Sequence, residues 1–136
     1  MSEQKTMTLE QQRAAHAWKC AQGCSKEYVN LAKGLPALIM NSGLIQVMAH
    51  LHAKGGKGAN KPHGLLEQHL RQWLAARFQT LPGNSFDVFA QALIENTEPR
   101  QFQHITAEAM AWLRWLRQIA PAVEKNSISP NTGAQS

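Results

Sequence analysis

His16, Cys20 and Cys24 stand four residues apart, so on one continuous helix an imidazole and two thiols would lie along one side, donors that zinc accepts. No fourth ligand accompanies them. Cys24 also belongs to an apolar seam, and a zinc knuckle gathers its cysteines at a tight turn, so the three read as buried cysteines and a boundary histidine in a reducing compartment. His50 and His52 are two apart and point in different directions on a helix, so they cannot act together on one substrate. His63 and His69 flank a helix start near Glu67, but the chain offers no nucleophile elbow, no paired catalytic carboxylates and no triad order. The stretch 54-KGGKGANKP-62 has glycines and lysines, yet no Gly-Lys is followed by Ser or Thr and no strand precedes it. It reads as a solvated linker or a basic loop touching a backbone phosphate. The expectation is a protein with no catalytic residue, no cofactor, no metal and no small-molecule substrate.

Lys19, Lys26 and Lys33 follow one another at intervals of seven, nearly two helical turns, which on one helix forms a stripe with roughly 10 Å per step. Gln12, Gln22 and Asn30 lie beside them, and Glu27 is the nearby counter-charge. Ammonium groups on flexible stems can follow a sugar-phosphate backbone without reading its bases, so these lysines are the first candidates for RNA contact. Arg13, Arg71, Arg114 and Arg117 are added as further phosphate ligands. Among the tryptophans, Trp73 and Trp112 fall on or beside inward stripes. Trp115, between Arg114 and Arg117, is the candidate for an exposed protein-interface contact.

These residues need a frame. A length of 136 residues with 43% hydrophobic content suits one domain with its own core, and a net charge of +5 favours a polyanionic partner. The N-terminus has no signal-peptide pattern and the apolar runs are too short to span a bilayer, so a cytoplasmic protein without membrane contact is expected. Residues 1–7 and 126–136 are polar and aperiodic and are expected to be disordered, leaving residues 8–125 as the domain. Every segment between has helical period and none alternates like a strand, which predicts an all-α, bundle-like domain of about five helices. Thr8 caps a long first helix whose seam of Ala14, Ala17, Ala21, Cys24, Tyr28, Leu31 and Leu35 ends at Gly34 and Pro36. A second helix runs from Leu35 into the glycine-rich loop, interrupted at Asn41-Ser42-Gly43. A third carries Leu66, Leu70, Trp73, Leu74 and Phe78 inward. A short fourth is capped by Ser85 with Phe86, Phe89 and Leu93 inward, and a long last helix after Pro99 buries Phe102, Ile105, Ala109, Leu113, Leu116 and Ala120.

The run 35-LPALIMNSGLIQVMAHLHAKG-55, followed after an interval by ITAEAMAWLRWLRQIAPA, resembles the small helical subunit of the Cmr complex, the type III-B CRISPR RNA-guided effector. The likeness spans most of residues 8–123 and rests on the Leu35-Pro36 start, the Asn41–Leu44 break and the Glu108-Ala109…Trp112-Leu113 pattern. The His16–Cys24 region and the KGGKGANKP loop match no pattern of the family. The resemblance implies a non-catalytic subunit in antiviral defence that stacks with copies of itself beside the larger Cmr subunits and helps to hold guide and target RNA, the cutting being done by a different subunit. Asn41 and Gly43 then become candidate interface residues, because glycine allows close backbone approach and asparagine can satisfy freed backbone groups. A pure protein adaptor and a helix-turn-helix DNA-binding regulator are the alternatives, though no short-turn recognition pair is visible in the sequence.

Overall fold

Thr8 opens the first helix with a reciprocal cap. Its hydroxyl accepts from the Gln11 backbone N–H at 3.1 Å, while the Gln11 side-chain oxygen accepts from the Thr8 N–H at 2.8 Å. From this cap α1 runs over Leu9–Ala21. In the computed structural model, which describes residues 6–55 and 61–125, α1 stops there and does not continue to Leu35. Gly23 adopts a left-handed φ of 65° and donates its N–H to the Val123 carbonyl at 3.0 Å. Ser25 then accepts from Tyr28 N–H at 3.1 Å and starts α2, Lys26–Ser42. The expected single long helix is therefore two. The small-residue seam conceals the break because its spacing is kept through the turn: Ala17, Ala21, Cys24, Tyr28 and Leu35 are all buried. Conversely, the boundary expected at Gly34 and Pro36 lies inside α2. Pro36 brings no N–H, so the Ala32 carbonyl loses its usual intrahelical partner, and the helix continues regardless.

The interruption within the apolar run is concentrated on one residue. Gly43 ends α2 by donating to the Ile39 carbonyl at 2.8 Å, and its own carbonyl accepts from Val47 at 3.2 Å in α3, Leu44–Gly55. Its φ of 89° with ψ of 155° belongs to a region open essentially to glycine alone. Gly55 closes α3 against α4, Pro62–Arg77, where its Cα faces Gly64 so closely that a side chain at Gly55 would run into the Gly64 backbone. The intervening residues 56–60, the centre of the glycine- and lysine-rich stretch, lie outside the described residues, as do the end segments 1–5 and 126–136. Ser85 caps α5, Phe86–Glu95, and Pro99 occupies the first turn of α6, Pro99–Val123. The described residues thus form six helices rather than five, and the class is all-α.

Helix α6 is the axis, with α1 and α2 packed along it. Helix α3 packs on α4 and α2, and α5 closes over α3 and α4. The core is built from the residues the periodicity turns inward, with Trp112, Tyr28, Phe89, Leu35, Leu44 and Met48 the bulkiest. Two carboxylates, Glu67 and Glu108, are buried with them. Glu108 of α6 is buried and accepts two hydrogen bonds from Arg13 of α1, at 2.7 and 2.8 Å, and one from the indole N–H of Trp73 of α4, at 3.0 Å. Arg77 of α4 lies 3.4 Å away. Burial alone would raise this carboxyl, but the bonds from Arg13 and Trp73, with the charges of Arg13 and Arg77, outweigh it and hold the group below its ordinary range. Elsewhere the Tyr28 hydroxyl meets His69 Nδ1 at 2.7 Å, joining α2 to α4. Burial, and secondarily the charge of His16, pushes the His69 imidazole down to about 4.

Gly43→Ala should lower stability by about 1–3 kcal/mol in urea unfolding through backbone strain, since an added Cβ meets no neighbour there. Acid should weaken the fold in a defined window. The unfolded chain takes up the His69 proton near pH 6.5 but the folded chain only near 4, so the unfolded state binds more protons between them and stability falls as pH is lowered through that range. Glu108, depressed in the folded state, extends the loss to lower pH. A urea midpoint that stays flat from pH 6.5 to 4 would contradict the buried, neutral assignment of His69.

Candidate nucleic-acid interface

The turn that ends α1 fixes how α2 lies on α6. Gly23 bonds to Val123, and Lys125 N–H donates to the Cys24 carbonyl at 2.8 Å, so α2 begins beside the C-terminal end of α6 and runs back along it. Lys33 is thereby brought opposite Arg117. Together with Gln118, Pro121 and Ala122 these two cations line an open cleft of about 490 Å³, and none of the five is acidic. Lys26 lies two turns before Lys33 on the same side of α2, and Arg114 lies one turn before Arg117 on α6; all four are exposed. The cleft has no nucleophile and no general base. Its chemistry is the attraction of an anion by one flexible ammonium and one forked guanidinium, a combination suited to phosphate oxygens.

The other expected contacts are distributed differently. Lys19 is exposed but sits on α1, across the break, so the three-lysine stripe on one helix is corrected to a pair, Lys26 and Lys33. Arg13 is largely buried. Its guanidinium is held by Glu108 and, at 3.0 Å, by Glu10, and the Glu108 hydrogen bond, despite the opposing effect of burial, raises its affinity for its proton further. Arg71 is buried as well, donating to Glu67 of its own helix at 2.8 and 3.1 Å and to the Gly83 carbonyl at 2.8 Å. Both arginines hold the bundle together and lie outside the cleft. Trp115 is half-buried, and its indole N–H donates to Glu10 at 2.6 Å, which corrects its assignment as a freely exposed contact. The exposed tryptophan is Trp18. Asn41 and Gly43 are exposed at the α2–α3 bend.

The groups that could perform chemistry are taken up at helix joints. His16 Nδ1 accepts from the Trp112 indole N–H at 3.0 Å, and the ring lies 5.2 and 5.5 Å from the rings of Trp73 and Trp112. The Cys20 sulfur is 3.6 Å from the same nitrogen, and burial, against the opposing charge of Lys19, pushes its thiol up to about 12. It is therefore a thiol rather than a nucleophilic thiolate at neutral pH. Cys24 turns elsewhere, its Sγ 3.7 Å from the Ala120 carbonyl. His52 stacks on Phe86 with ring centres 4.5 Å apart. Among the described residues no group of three metal-capable side chains converges. Sequence reasoning missed the role of Glu108, although its signal is present: it stands on the inward stripe with Ile105, Ala109 and Trp112, where a charge must have a buried partner.

The division between structural and free cations can be checked by unfolding. Arg71→Ala should lower stability by about 3 kcal/mol or more, because it leaves the Glu67 carboxylate buried without its cation, whereas Lys33→Ala should stay within about 0.5 kcal/mol of the parent. Equal destabilisation by both would show that Lys33 is part of the scaffold.

No described helix is long and apolar enough to cross a membrane. The residues matched by a family model run from the first residue of α1 to the last of α6. That model is described as CRISPR-associated protein (Cas_Cmr5) and matches residues 9–123, so the chain belongs to this family of small CRISPR-associated Cmr subunits.

Proposed function

We infer that this chain is a non-enzymatic, cytoplasmic subunit of a Cmr effector that stacks with further copies of itself and lowers phosphate repulsion along guide and target RNA. The reading is supported by one feature above others, the acid-free cleft in which Lys33 of α2 faces Arg117 of α6, extended by Lys26 and Arg114. Sequence choice would belong to guide–target base pairing, since a backbone-tracking cation carries no base information. Asn41 and Gly43, exposed at the bend between α2 and α3, are assigned to contacts with neighbouring protein subunits, and Lys19 to a peripheral phosphate.

Replacing Lys26, Lys33 and Arg117 by glutamine should weaken RNA retention by the assembled complex and flatten its salt dependence, by about 0.7 in log–log slope for each single-strand phosphate that is no longer neutralised. The measurement is RNA release from purified complex across a salt series. An unchanged slope and unchanged retention would remove this cleft from the RNA path and leave the subunit as a protein adaptor.

A further inference from the structure

Four of the six histidines are engaged with other groups. His16 accepts from Trp112, His69 meets the Tyr28 hydroxyl, His52 stacks on Phe86 with Glu67 3.8 Å away, and His104 lies edge-on to Phe78. His50 of α3 and His63 of α4 are left to each other. Their rings stand edge to face with centres 6.5 Å apart, and among the described residues neither makes a hydrogen bond. Helix packing brings them together. The backbone of Gly55 at the end of α3 meets that of Gly64 in α4 with no side chain between, so His63, next to Gly64, is held against the last turns of α3. Both imidazoles line one cavity between α2, α3 and α4, where Gln46, one turn before His50, and Ser42 supply oxygen atoms and no acid is present. His63 is half-buried, whereas His50 is exposed and free to adjust its ring.

We propose that His50 and His63 form a two-imidazole site for a late first-row divalent ion of the nickel or copper type, which ties the end of α3 to the start of α4. A neutral imidazole has one lone pair to give, and an ion bound about 2.1 Å from that nitrogen lies about 3.2 Å from the ring centre. Two rings on opposite sides of one ion therefore have centres about 6.4 Å apart, against about 5.2 Å at a tetrahedral angle. The separation of 6.5 Å matches the opposed pair. Opposed nitrogen ligands belong to tetragonal ions, with water and the Gln46 side-chain oxygen available for the remaining positions, whereas a structural zinc would call for a closer, four-ligand set. Magnesium and calcium are disfavoured, because the cavity presents no carboxylate and its nitrogen donors are too soft for them. The site lies apart from the Lys33–Arg117 cleft and does not depend on the RNA reading.

The test titrates nickel chloride into the metal-free full chain, purified without a polyhistidine tag, by isothermal titration calorimetry. One ion per chain should bind, and the thermal unfolding midpoint should rise with nickel concentration, since the ion favours the folded state in which the two rings are neighbours. His50→Ala and His63→Gln, with folding checked by circular dichroism, should each weaken binding at least about 10-fold, because the second ring no longer closes on an ion held by the first. His104→Ala and Cys20→Ser should leave the affinity unchanged, and magnesium chloride should give neither heat nor a shift of the midpoint. Absence of nickel binding up to about 1 mM would overturn the proposal. So would binding that survives the loss of His50 or His63, or binding that His104→Ala or Cys20→Ser abolishes, since the ion would then sit elsewhere on the chain. None of these variants touches Lys26, Lys33 or Arg117, so the outcome is separate from the salt-slope measurement.

Discussion

The arrangement depends on one buried carboxylate. Glu108 projects from α6 into the core, and a charge placed there requires partners that α6 alone cannot provide. Arg13 brings α1 to it with a two-pronged guanidinium, and Trp73 and Arg77 bring α4 from the other direction. The consequence is register. Ala17 and Ala21 let α1 lie close upon α6 but have too little bulk to determine how far it slides, and a paired guanidinium and carboxylate supply that missing coordinate. Once α1 is placed, the turn at Gly23 joins its end to Val123, and α2 is laid back along α6 with Lys33 opposite Arg117. The polar centre of the bundle and the basic cleft on its surface are two ends of one chain of constraints.

The same logic separates the cations by type. Arg13, Arg71 and Arg77 face internal carboxylates, while the described lysines, at positions 19, 26, 33, 54, 61 and 125, are all exposed. A guanidinium keeps its charge when buried and matches a carboxylate with two parallel donors, whereas an ammonium is strongly hydrated and resists transfer to the interior. Inside, Glu67 and Glu108 offset most of the charge of these arginines, Glu108 being shared by Arg13 and Arg77, so the interior contributes little to the field outside. The excess positive charge of the chain is therefore carried by side chains that remain in water, where it can act on a polyanion.

Much of the helical content is legible in the sequence because it rests on local chemistry. Thr8 with Gln11, Ser85 and Pro99 mark helix starts that side-chain oxygens and proline geometry dictate, and the inward stripe from Ile105 to Ala120 is buried as its spacing requires. The division of the first helix is not legible, because hydrophobic spacing reports which residues face the core and not whether the backbone between them is continuous. Gly23 and Ser25 do carry the signal, a glycine able to take positive φ followed by a capping hydroxyl, but the uninterrupted seam from Ala17 to Tyr28 masks it. The site suffers in the same way. Lys26 and Lys33 remain neighbours because seven residues on a real helix share a side, and Lys19 does not join them because its helix has ended. Arg13 and Arg71 could not be assigned from sequence at all, since their partners are set by tertiary position in one case and by burial of the helix face in the other.

Two cations in an open cleft set a scale for what one copy can do. Each phosphate neutralised by a single-stranded ligand adds only a modest salt-dependent increment, and a pair of contacts exposed to water gives little affinity at physiological ionic strength. A row of copies changes the arithmetic, because the second cleft meets an RNA already held by the first, and an intramolecular step replaces a bimolecular one. Retention would then rise steeply with the number of copies although no single site became stronger. The requirement is geometric: the clefts must recur at a spacing the RNA can follow, and that spacing is fixed by whatever contact joins one copy to the next. The bundle supplies the cleft on α2 and α6, and a contact between copies that held these two helices at a constant repeat would present its charge to the RNA at a constant interval.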